Sequence, residues 1–292
     1  MRILVIGSGG QLGWELQRSL LPLGKVLAVD FPEIDLSKPD SVIEWIRGTK
    51  PDLIVNAAAY TAVDQSEEEI ENARKINAVA PGILAEEAQA HNALFIHYST
   101  DYVFDGKLGR SYQESDQANP INEYGNTKLD GERAVQQVGG EYFIFRTSWL
   151  YSTRRDCFLT KVLRWSRTQE MIKVVSDQIG SPTWCRTLAD TTALAILKMN
   201  TLPPSWREEK SGVYHVAGNG SVSRYDWAKK ILELDPLKEQ HITTQIIKAK
   251  SGEFETKAQR PEFSALDCTH FQNTFGFFYS DWKDSLKAAL SS

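Results

Sequence analysis

The sequence predicts an α/β protein, with a doubly wound parallel sheet followed by a smaller C-terminal α/β lobe. Residues 2–6 form a short apolar run typical of a parallel strand buried on both faces, and a glycine-rich loop and a helical pattern follow directly. A second apolar run, at residues 25–29, ends on Asp30. Further apolar runs alternate with helical patterns, at residues 51–59, 93–100 and 142–147. This order is typical of a Rossmann-type sheet.

The glycine-rich loop at residues 7–13 predicts a dinucleotide site, because a strand precedes it and a helix follows it. Glycines let backbone N–H groups at a helix N-terminus approach a pyrophosphate. The predicted cofactor-binding residues of the loop are Gly7, Gly10, Gln11, Leu12 and Gly13. Asp30 can accept hydrogen bonds from the adenine ribose 2′-OH, and its charge favours NADH over NADPH.

A second wall of the cofactor cleft is predicted where the strand at residues 51–59 ends in small side chains. Ligands of open parallel sheets bind at the carboxyl ends of the strands, and small residues leave room for them. Ala58, Ala59, Tyr60 and Thr61 are therefore predicted to border the cofactor.

Tyr124 and Lys128 are four residues apart at the start of a helical pattern, so both can face one substrate carbonyl. A nearby ammonium favours the phenolate and would lower the pKa of the phenol. Thr100, at the end of the strand at residues 93–100, can donate a hydrogen bond to the same carbonyl. A tyrosine and a lysine at this spacing also occur on solvent-exposed helix faces. The hypothesis that they face a carbonyl therefore depends on motifs elsewhere in the chain.

Composition excludes several other classes of protein. A net charge of −5 argues against a nucleic-acid-binding surface. No apolar run reaches the roughly 18 residues that a membrane span needs, and no cleavable signal pattern is present, so we expect a cytoplasmic protein. Cys157, Cys185 and Cys268 are too few and too far apart for a disulfide framework or a zinc cluster.

The alternation of strands and helices loosens after residue 147. We expect an NAD(P)-binding domain over residues 1–150 and a mainly substrate-binding lobe over residues 151–292. An apolar helical stripe between residues 183 and 202 suits packing against the sheet. The chain is therefore expected to re-enter the first domain there.

The spacing Gly-x-x-Gly-x-x-Gly, with Tyr-x-x-x-Lys further along the chain, resembles the extended short-chain dehydrogenase/reductase family. The resemblance implies that Lys128 also holds the nicotinamide ribose and that Tyr98 lies along the cofactor. It places Asp35 and Leu36 against adenine, although Asp35 also suits a helix N-cap. Asn77 resembles the structural asparagine near the active site of the family.

Longer stretches resemble the branch of this family that acts on dTDP-4-keto-deoxysugars. They lie at residues 56–64, 99–106, 119–132, 146–151, 177–183 and 260–267. The resemblance implies reduction of the C4 carbonyl of dTDP-4-dehydro-L-rhamnose to dTDP-L-rhamnose, with Tyr124 as proton donor and Thr100 polarising the carbonyl. Asp101 and Trp149 would contact the sugar nucleotide together with these two residues. Members of the branch use NADPH and often NADH.

Two alternatives stay open: a reductase of another dTDP-4-keto-deoxysugar, and a non-catalytic regulatory subunit of the same fold. Some members dimerise around magnesium, and Glu15 resembles one of the ligands. Arg186 stands where a second acid is expected, so we expect a monomer or homodimer and regard a magnesium site as doubtful. Arg260 suits either the substrate diphosphate or an ordinary salt bridge.

Overall fold

The computed structural model describes residues 1–291 of the chain. Its strands are β1 (Arg2–Ile6), β2 (Lys25–Val29), β3 (Leu53–Asn56), β4 (Leu94–Thr100), β5 (Tyr142–Thr147), β6 (Leu150–Tyr151), β7 (Met171–Val175), β8 (Ile179–Gly180), β9 (Thr183–Trp184), β10 (Gly212–His215), β11 (Val222–Ser223) and β12 (Gln245–Ala249). Its α-helices are α1 (Gln11–Ser19), α2 (Pro39–Thr49), α3 (Val63–Ser66), α4 (Ile70–Arg74), α5 (Ala80–Ala90), α6 (Glu123–Val138), α7 (Phe158–Ser166), α8 (Cys185–Thr201), α9 (Pro204–Lys210), α10 (Arg224–Leu234), α11 (Thr269–Phe275) and α12 (Trp282–Leu290). A π-helical turn, Lys75–Val79, joins α4 to α5.

Six parallel strands form the central sheet, in the order β10-β5-β4-β3-β1-β2. The predicted fold class is confirmed. The chain moves outward from β1 to β2 on one side and from β3 to β10 on the other, so the strand order reverses between β1 and β3. Open α/β sheets bind ligands in the crevice that this reversal leaves at the carboxyl ends of the strands.

Both faces of the sheet are covered, because alternate side chains of a strand point to opposite sides. Ile3 and Val5 of β1 pack in the core that contains residues of α1 and α8. Leu4 and Ile6 pack in the opposite core, which contains residues of α2 and α5. This two-sided burial explains why β1 is a continuous apolar run rather than an alternating one.

The second half of the chain divides its elements between the sheet and a smaller lobe. Strands β7 and β12 pair in parallel beside a core that is centred on the buried Trp227. Helix α8 packs on α1, and β10 pairs with β5 in the central sheet rather than joining the lobe. The domain boundary near residue 150 stays a prediction. Within residues 1–291, we found no helix with the length and apolarity needed to cross a bilayer.

Candidate active site

A cleft of about 510 Å³ opens at the reversal of strand order. Its walls come from the glycine loop, from the carboxyl ends of β2, β3, β4 and β5, and from the first turns of α6. Most of the residues that the sequence predicted for the site line it: Gly7, Gly10, Gln11, Leu12, Asp30, Ala58, Ala59, Thr61, Tyr98, Thr100, Asp101, Tyr124, Lys128 and Trp149. The fold therefore brings together side chains that are up to 142 residues apart in the sequence.

At the glycine loop, backbone atoms that no side chain covers form the floor of the cleft. Gly7 has φ of +86°, and a Cβ built there would lie 2.7 Å from the backbone nitrogen of Ala58. A Cβ at Gly13 would lie only 2.0 Å from the carbonyl oxygen of Gly7. Gly13 is thus buried beneath the loop and does not line the cleft, and its role is to let the first turn of α1 lie against the backbone of Gly7 and Ser8.

Asp30 and Asp35 have different surroundings. The Asp30 carboxylate accepts hydrogen bonds from the backbone N–H of Gly9 at 2.7 Å and of Phe31 at 2.8 Å, at the edge of the cleft. The Asp35 carboxylate instead accepts from the backbone and hydroxyl of Ser37, and these bonds hold its pKa below the usual value. The N-cap of α2 is Lys38, so the alternative interpretation of Asp35 as this cap is wrong. Neither Asp35 nor Leu36 lines the cleft.

Asn77 lies buried in the π-helical turn and connects two walls of the site. Its side chain accepts from the backbone N–H of Tyr60 at 2.8 Å and donates to the Tyr60 carbonyl at 3.1 Å. It also donates to Thr127 of α6 at 3.2 Å. Single π-helical turns often occur at functional sites. Asn77 and Tyr60 are not lining residues, and their contacts instead hold the loop after β3 against α6.

Tyr124 lies in the first turn of α6, which begins at the N-cap Asn122, whose side chain accepts from the backbone N–H of Gly125. Burial raises the pKa of the Tyr124 phenol above its usual value, while a hydrogen bond to Thr100 opposes this rise. The sequence predicted the opposite direction for this pKa, and that expectation is wrong. The groups that act on the phenol besides burial are Thr100, Asp101 and Tyr102, without a contribution from Lys128.

Lys128 is buried, and its ammonium is directed toward β4. Its Nζ donates to the carbonyl oxygen of Tyr98 at 2.7 Å and lies 3.3 Å from Nε2 of His97. Burial lowers the pKa of Lys128 to about 8, although the negative charge of Glu132 acts in the opposite direction. The Tyr98 phenol is directed into the core, where it hydrogen-bonds Thr192 of α8 at 2.7 Å.

Two hydrogen bonds fix the tautomer of the His97 ring that lies beside Lys128. The backbone N–H of Ala58 donates to Oδ1 of Asn56 at 3.1 Å, so Nδ2 of Asn56 must face Nδ1 of His97, 3.2 Å away. Nδ1 then accepts, and a neutral imidazole carries its proton on Nε2, toward Lys128. Burial and the charge of Lys128 lower the pKa of His97 well below its usual value, which keeps the ring neutral.

We expect Asn56→Asp to reverse this tautomer and raise the pKa of Lys128. A carboxylate would accept a proton from Nδ1 of His97, which leaves Nε2 free to accept from the ammonium. The prediction takes the charged form of Lys128 as the active one. Turnover of the wild type should then fall as pH rises through about 8. This alkaline limb of the pH profile should move to higher pH in the variant. His97→Gln, which adds no charge, should shift it in the same direction.

Nitrogen-15 NMR of the His97 ring measures the tautomer directly, without any assay of turnover. A proton that stays on Nε2 in Asn56→Asp, together with an unchanged pH limb in both variants, would contradict this account of Lys128.

Asp101 and Trp149 also line the cleft. The Asp101 carboxylate accepts from the hydroxyls of Ser148 at 3.0 Å and Ser264 at 2.5 Å, and burial raises its pKa to about 6. Trp149 has φ of +45°, a strained value for a side chain of this size. Its indole packs against Gly180, where a Cβ would lie 2.4 Å from the ring.

The sequence did not single out four further polar residues near the cleft: His97, Ser148, Arg155 and Arg224. Ser148 and His97 each lie next to a predicted site residue in the sequence, and that proximity was the available signal. Arg155 and Arg224 come from the second half of the chain, and nothing local indicated where their side chains lie.

Within residues 1–291, no group of three or more His, Cys, Asp or Glu side chains is arranged to hold a metal ion. Glu15 lies partly buried on α1. Nearby, Ser19 of α1 donates to Asp190 of α8 at 2.6 Å. Arg186 of α8 lies over the ring of Trp184.

A glycine loop at the reversal of strand order, with a tyrosine and a lysine one helical turn apart beside a threonine hydroxyl, is the arrangement of a short-chain dehydrogenase/reductase. A family model described as the RmlD substrate binding domain matches residues 1–292. The chain is 40% identical over 291 residues to a dTDP-4-dehydrorhamnose reductase of Burkholderia thailandensis, covering 97% of this chain and 96% of that one. The chain belongs to the dTDP-4-dehydrorhamnose reductase family.

Solved structures agree with this assignment and confirm the resemblance found in the sequence. A dTDP-4-dehydrorhamnose reductase of Clostridium acetobutylicum superposes with a TM-score of 0.90 and 34% identity, covering 100% of this chain and 99% of that one. One from Bacillus anthracis, in complex with NADP, superposes with a TM-score of 0.87 and 32% identity, covering 99% and 98%.

Proposed function

We propose that the protein reduces the C4 carbonyl of dTDP-4-dehydro-L-rhamnose to give dTDP-L-rhamnose, with NADPH or NADH as reductant. The observation that carries the proposal is the position of the Tyr124 phenol, which borders the cofactor cleft beside the Thr100 hydroxyl. A carbonyl held there has a proton donor and a hydrogen-bond donor on one side. The family assignment supplies the substrate class.

The residues present fit a dinucleotide. The bare backbone at Gly7 and Gly10 leaves room for a pyrophosphate at the N-terminus of α1, where the peptide dipoles favour negative charge. Asp30 borders the place of the adenine ribose, and Lys128 is assigned to the nicotinamide ribose. When bound, the reduced nicotinamide supplies the hydride.

Tyr124 is assigned the role of general acid. Its raised pKa keeps the phenol protonated at neutral pH, so a proton is available for the carbonyl oxygen as negative charge develops there. The Thr100 hydroxyl donates to Oδ1 of Asp101 at 3.2 Å, and it would rotate to share that charge as a hydrogen-bond donor. Lys128 does not act on the pKa of the phenol, and its assigned role is to hold the nicotinamide ribose.

A second pocket, of about 790 Å³, adjoins the site and suits the nucleotide part of the substrate. Tyr102, Phe158 and Trp165 supply aromatic surface for a base. The guanidinium of Arg224 lies 3.5 Å above the Trp149 ring. It makes no hydrogen bond to a side chain or carbonyl within the described part of the chain, so its N–H groups are available to a diphosphate.

Arg260 also lines this pocket, but its guanidinium forms a bidentate ion pair with Asp64, at 2.7 and 2.6 Å. This pair lowers the pKa of Asp64 to about 2. Of the two roles suggested for Arg260, the salt bridge is the one present, and we assign the diphosphate to Arg224.

We expect Arg224→Gln to raise KM for the sugar nucleotide by about 10- to 100-fold, the scale of a lost charge-assisted hydrogen bond. The dissociation constant of the dinucleotide should stay the same, because Arg224 does not line its cleft. Steady-state kinetics with the sugar nucleotide varied, and titration with NADP⁺, separate the two effects. Equal losses for both ligands would contradict the assignment.

The test of the function itself is oxidation of NADPH and NADH with dTDP-4-dehydro-L-rhamnose, beside other dTDP-4-keto-deoxysugars. Turnover that is highest with the first compound supports the proposal. Higher turnover with a different compound would mean that this compound is the preferred substrate. No oxidation of NADPH or NADH with any of the compounds would favour a regulatory subunit.

We also propose that the protein acts in the cytoplasm, as a monomer or homodimer, with its substrate lobe formed mainly by residues 151–292. Sedimentation of the purified chain measures its oligomeric state.

A further inference from the structure

Arg155 lies beside the residue that the sequence assigned to the cofactor ribose. A Cβ built on Gly9 would lie 2.7 Å from Oδ2 of Asp30 and 3.6 Å from Nη2 of Arg155, so both groups border the same point of the glycine loop. Arg155 also lines the cofactor cleft. It follows β6, and therefore comes from the second half of the chain.

Residues close to Arg155 in the sequence hold its segment against α1, beside the cofactor cleft. The Ser152 hydroxyl donates to Oε1 of Gln11 at the start of α1, at 2.9 Å. The guanidinium of Arg154 lies 3.3 Å above the Trp14 ring, also on α1. The hydroxyl of Thr160 donates to the backbone carbonyl of Arg155 at 3.2 Å. These contacts hold Arg155 at the cleft.

The guanidinium of Arg155 has no carboxylate partner in residues 1–291. The adjacent acid, Asp156, pairs instead with Lys161 at 3.4 Å and Arg164 at 3.1 Å. Asp30 has both carboxylate oxygens bound to backbone N–H groups. The Arg155 guanidinium therefore lies near Asp30 without a carboxylate partner among the described residues, and the Asp30 carboxylate already accepts two backbone hydrogen bonds.

We propose that Arg155 binds the 2′-phosphate of NADPH and so determines the preference between the two dinucleotides. An acid at the position of Asp30 borders the ribose 2′ position, where it accepts from a hydroxyl and repels a phosphate. A guanidinium beside it offsets that repulsion and matches phosphate oxygens with two parallel N–H groups. The inference rests on the proposed use of a dinucleotide, but not on the identity of the sugar substrate.

Direct binding tests the inference without turnover. Calorimetric titrations of the full chain would compare NADP⁺ with NAD⁺, and adenosine 2′,5′-bisphosphate with 5′-AMP. We expect Arg155→Ala to raise Kd for the two 2′-phosphorylated ligands by about 10- to 100-fold, and to change Kd for the other two by less than about threefold. Arg155→Lys, which keeps the charge, should recover part of the loss.

Arg154→Ala is the matched control, because it removes the same charge from the neighbouring residue, which stacks on Trp14 outside the cleft. It should leave all four constants within about threefold of wild type. Equal losses for both dinucleotides in Arg155→Ala would assign Arg155 to the shared pyrophosphate and overturn the inference, as would no loss for either. Since no sugar nucleotide is present, a failed reductase assay leaves this result intact.

Discussion

Tyr124→Phe is expected to lower kcat by at least about 100-fold, the scale of a lost general acid. The phenol is the group beside Thr100 that can give a proton to a carbonyl oxygen, and phenylalanine keeps the ring but not the proton. The ring packs edge-on against Tyr102 with centroids 5.7 Å apart, so removal of the hydroxyl preserves the packing. Kd for NADP⁺ should therefore stay close to the wild-type value.

Tyr142→Phe provides the control, because it makes the same chemical change at the opposite end of the sheet, where β5 begins. Single-turnover kinetics measure the chemical step apart from product release. Wild-type turnover by purified Tyr124→Phe, or an equal loss in Tyr142→Phe, would remove Tyr124 from its assigned role.

Glu132→Gln is expected to destabilise the fold by about 3–5 kcal/mol, because it leaves a buried charge unpaired. Glu132 lies one turn after Lys128 on α6 and is 1% exposed. Its carboxylate accepts from Nε and Nη2 of Arg146 on β5, at 2.9 and 2.7 Å. This ion pair connects α6 to β5 one helical turn from Lys128. Its loss should therefore also make the position of α6, which carries Tyr124 and Lys128, less fixed.

Urea denaturation of both proteins measures the difference in the free energy of unfolding. Arg133→Ala is the neighbouring control, because its exposed pair with Asp130, at 3.4 Å, should contribute at most about 1 kcal/mol. Replacing both members of the buried pair, with Glu132→Leu and Arg146→Met, should cost less than Glu132→Gln alone. A loss in Glu132→Gln no larger than in the control would show that the buried pair does not hold α6.

The cofactor half of the site was predictable because its signals are local. A strand, a glycine turn and a helix follow one another within residues 2–19, and turn chemistry depends on residues close in sequence. Tyr124 and Lys128 share a helix face through their spacing alone. The alternating strands and helices indicated a parallel sheet in the same way, and the structure confirmed it.

The direction of the Tyr124 pKa was not predictable, because spacing on a helix does not say where a flexible ammonium points or how deeply a phenol is buried. In the fold, Lys128 is directed to the carbonyl of Tyr98, and burial has the larger effect on the phenol. The sequence also did not decide which group the Asp35 carboxylate would bind, because several polar residues lie close together at the start of α2.

The sequence by itself determined the sheet, the glycine turn and the pair on α6, since each follows from periodicity or from the conformational freedom of glycine. Only the tertiary structure decided that Ser264 hydrogen-bonds Asp101, that His97 faces Lys128 and that Arg155 borders Asp30. These contacts join segments 31 to 163 residues apart. No local pattern encodes them, because they arise when separate elements pack against one another.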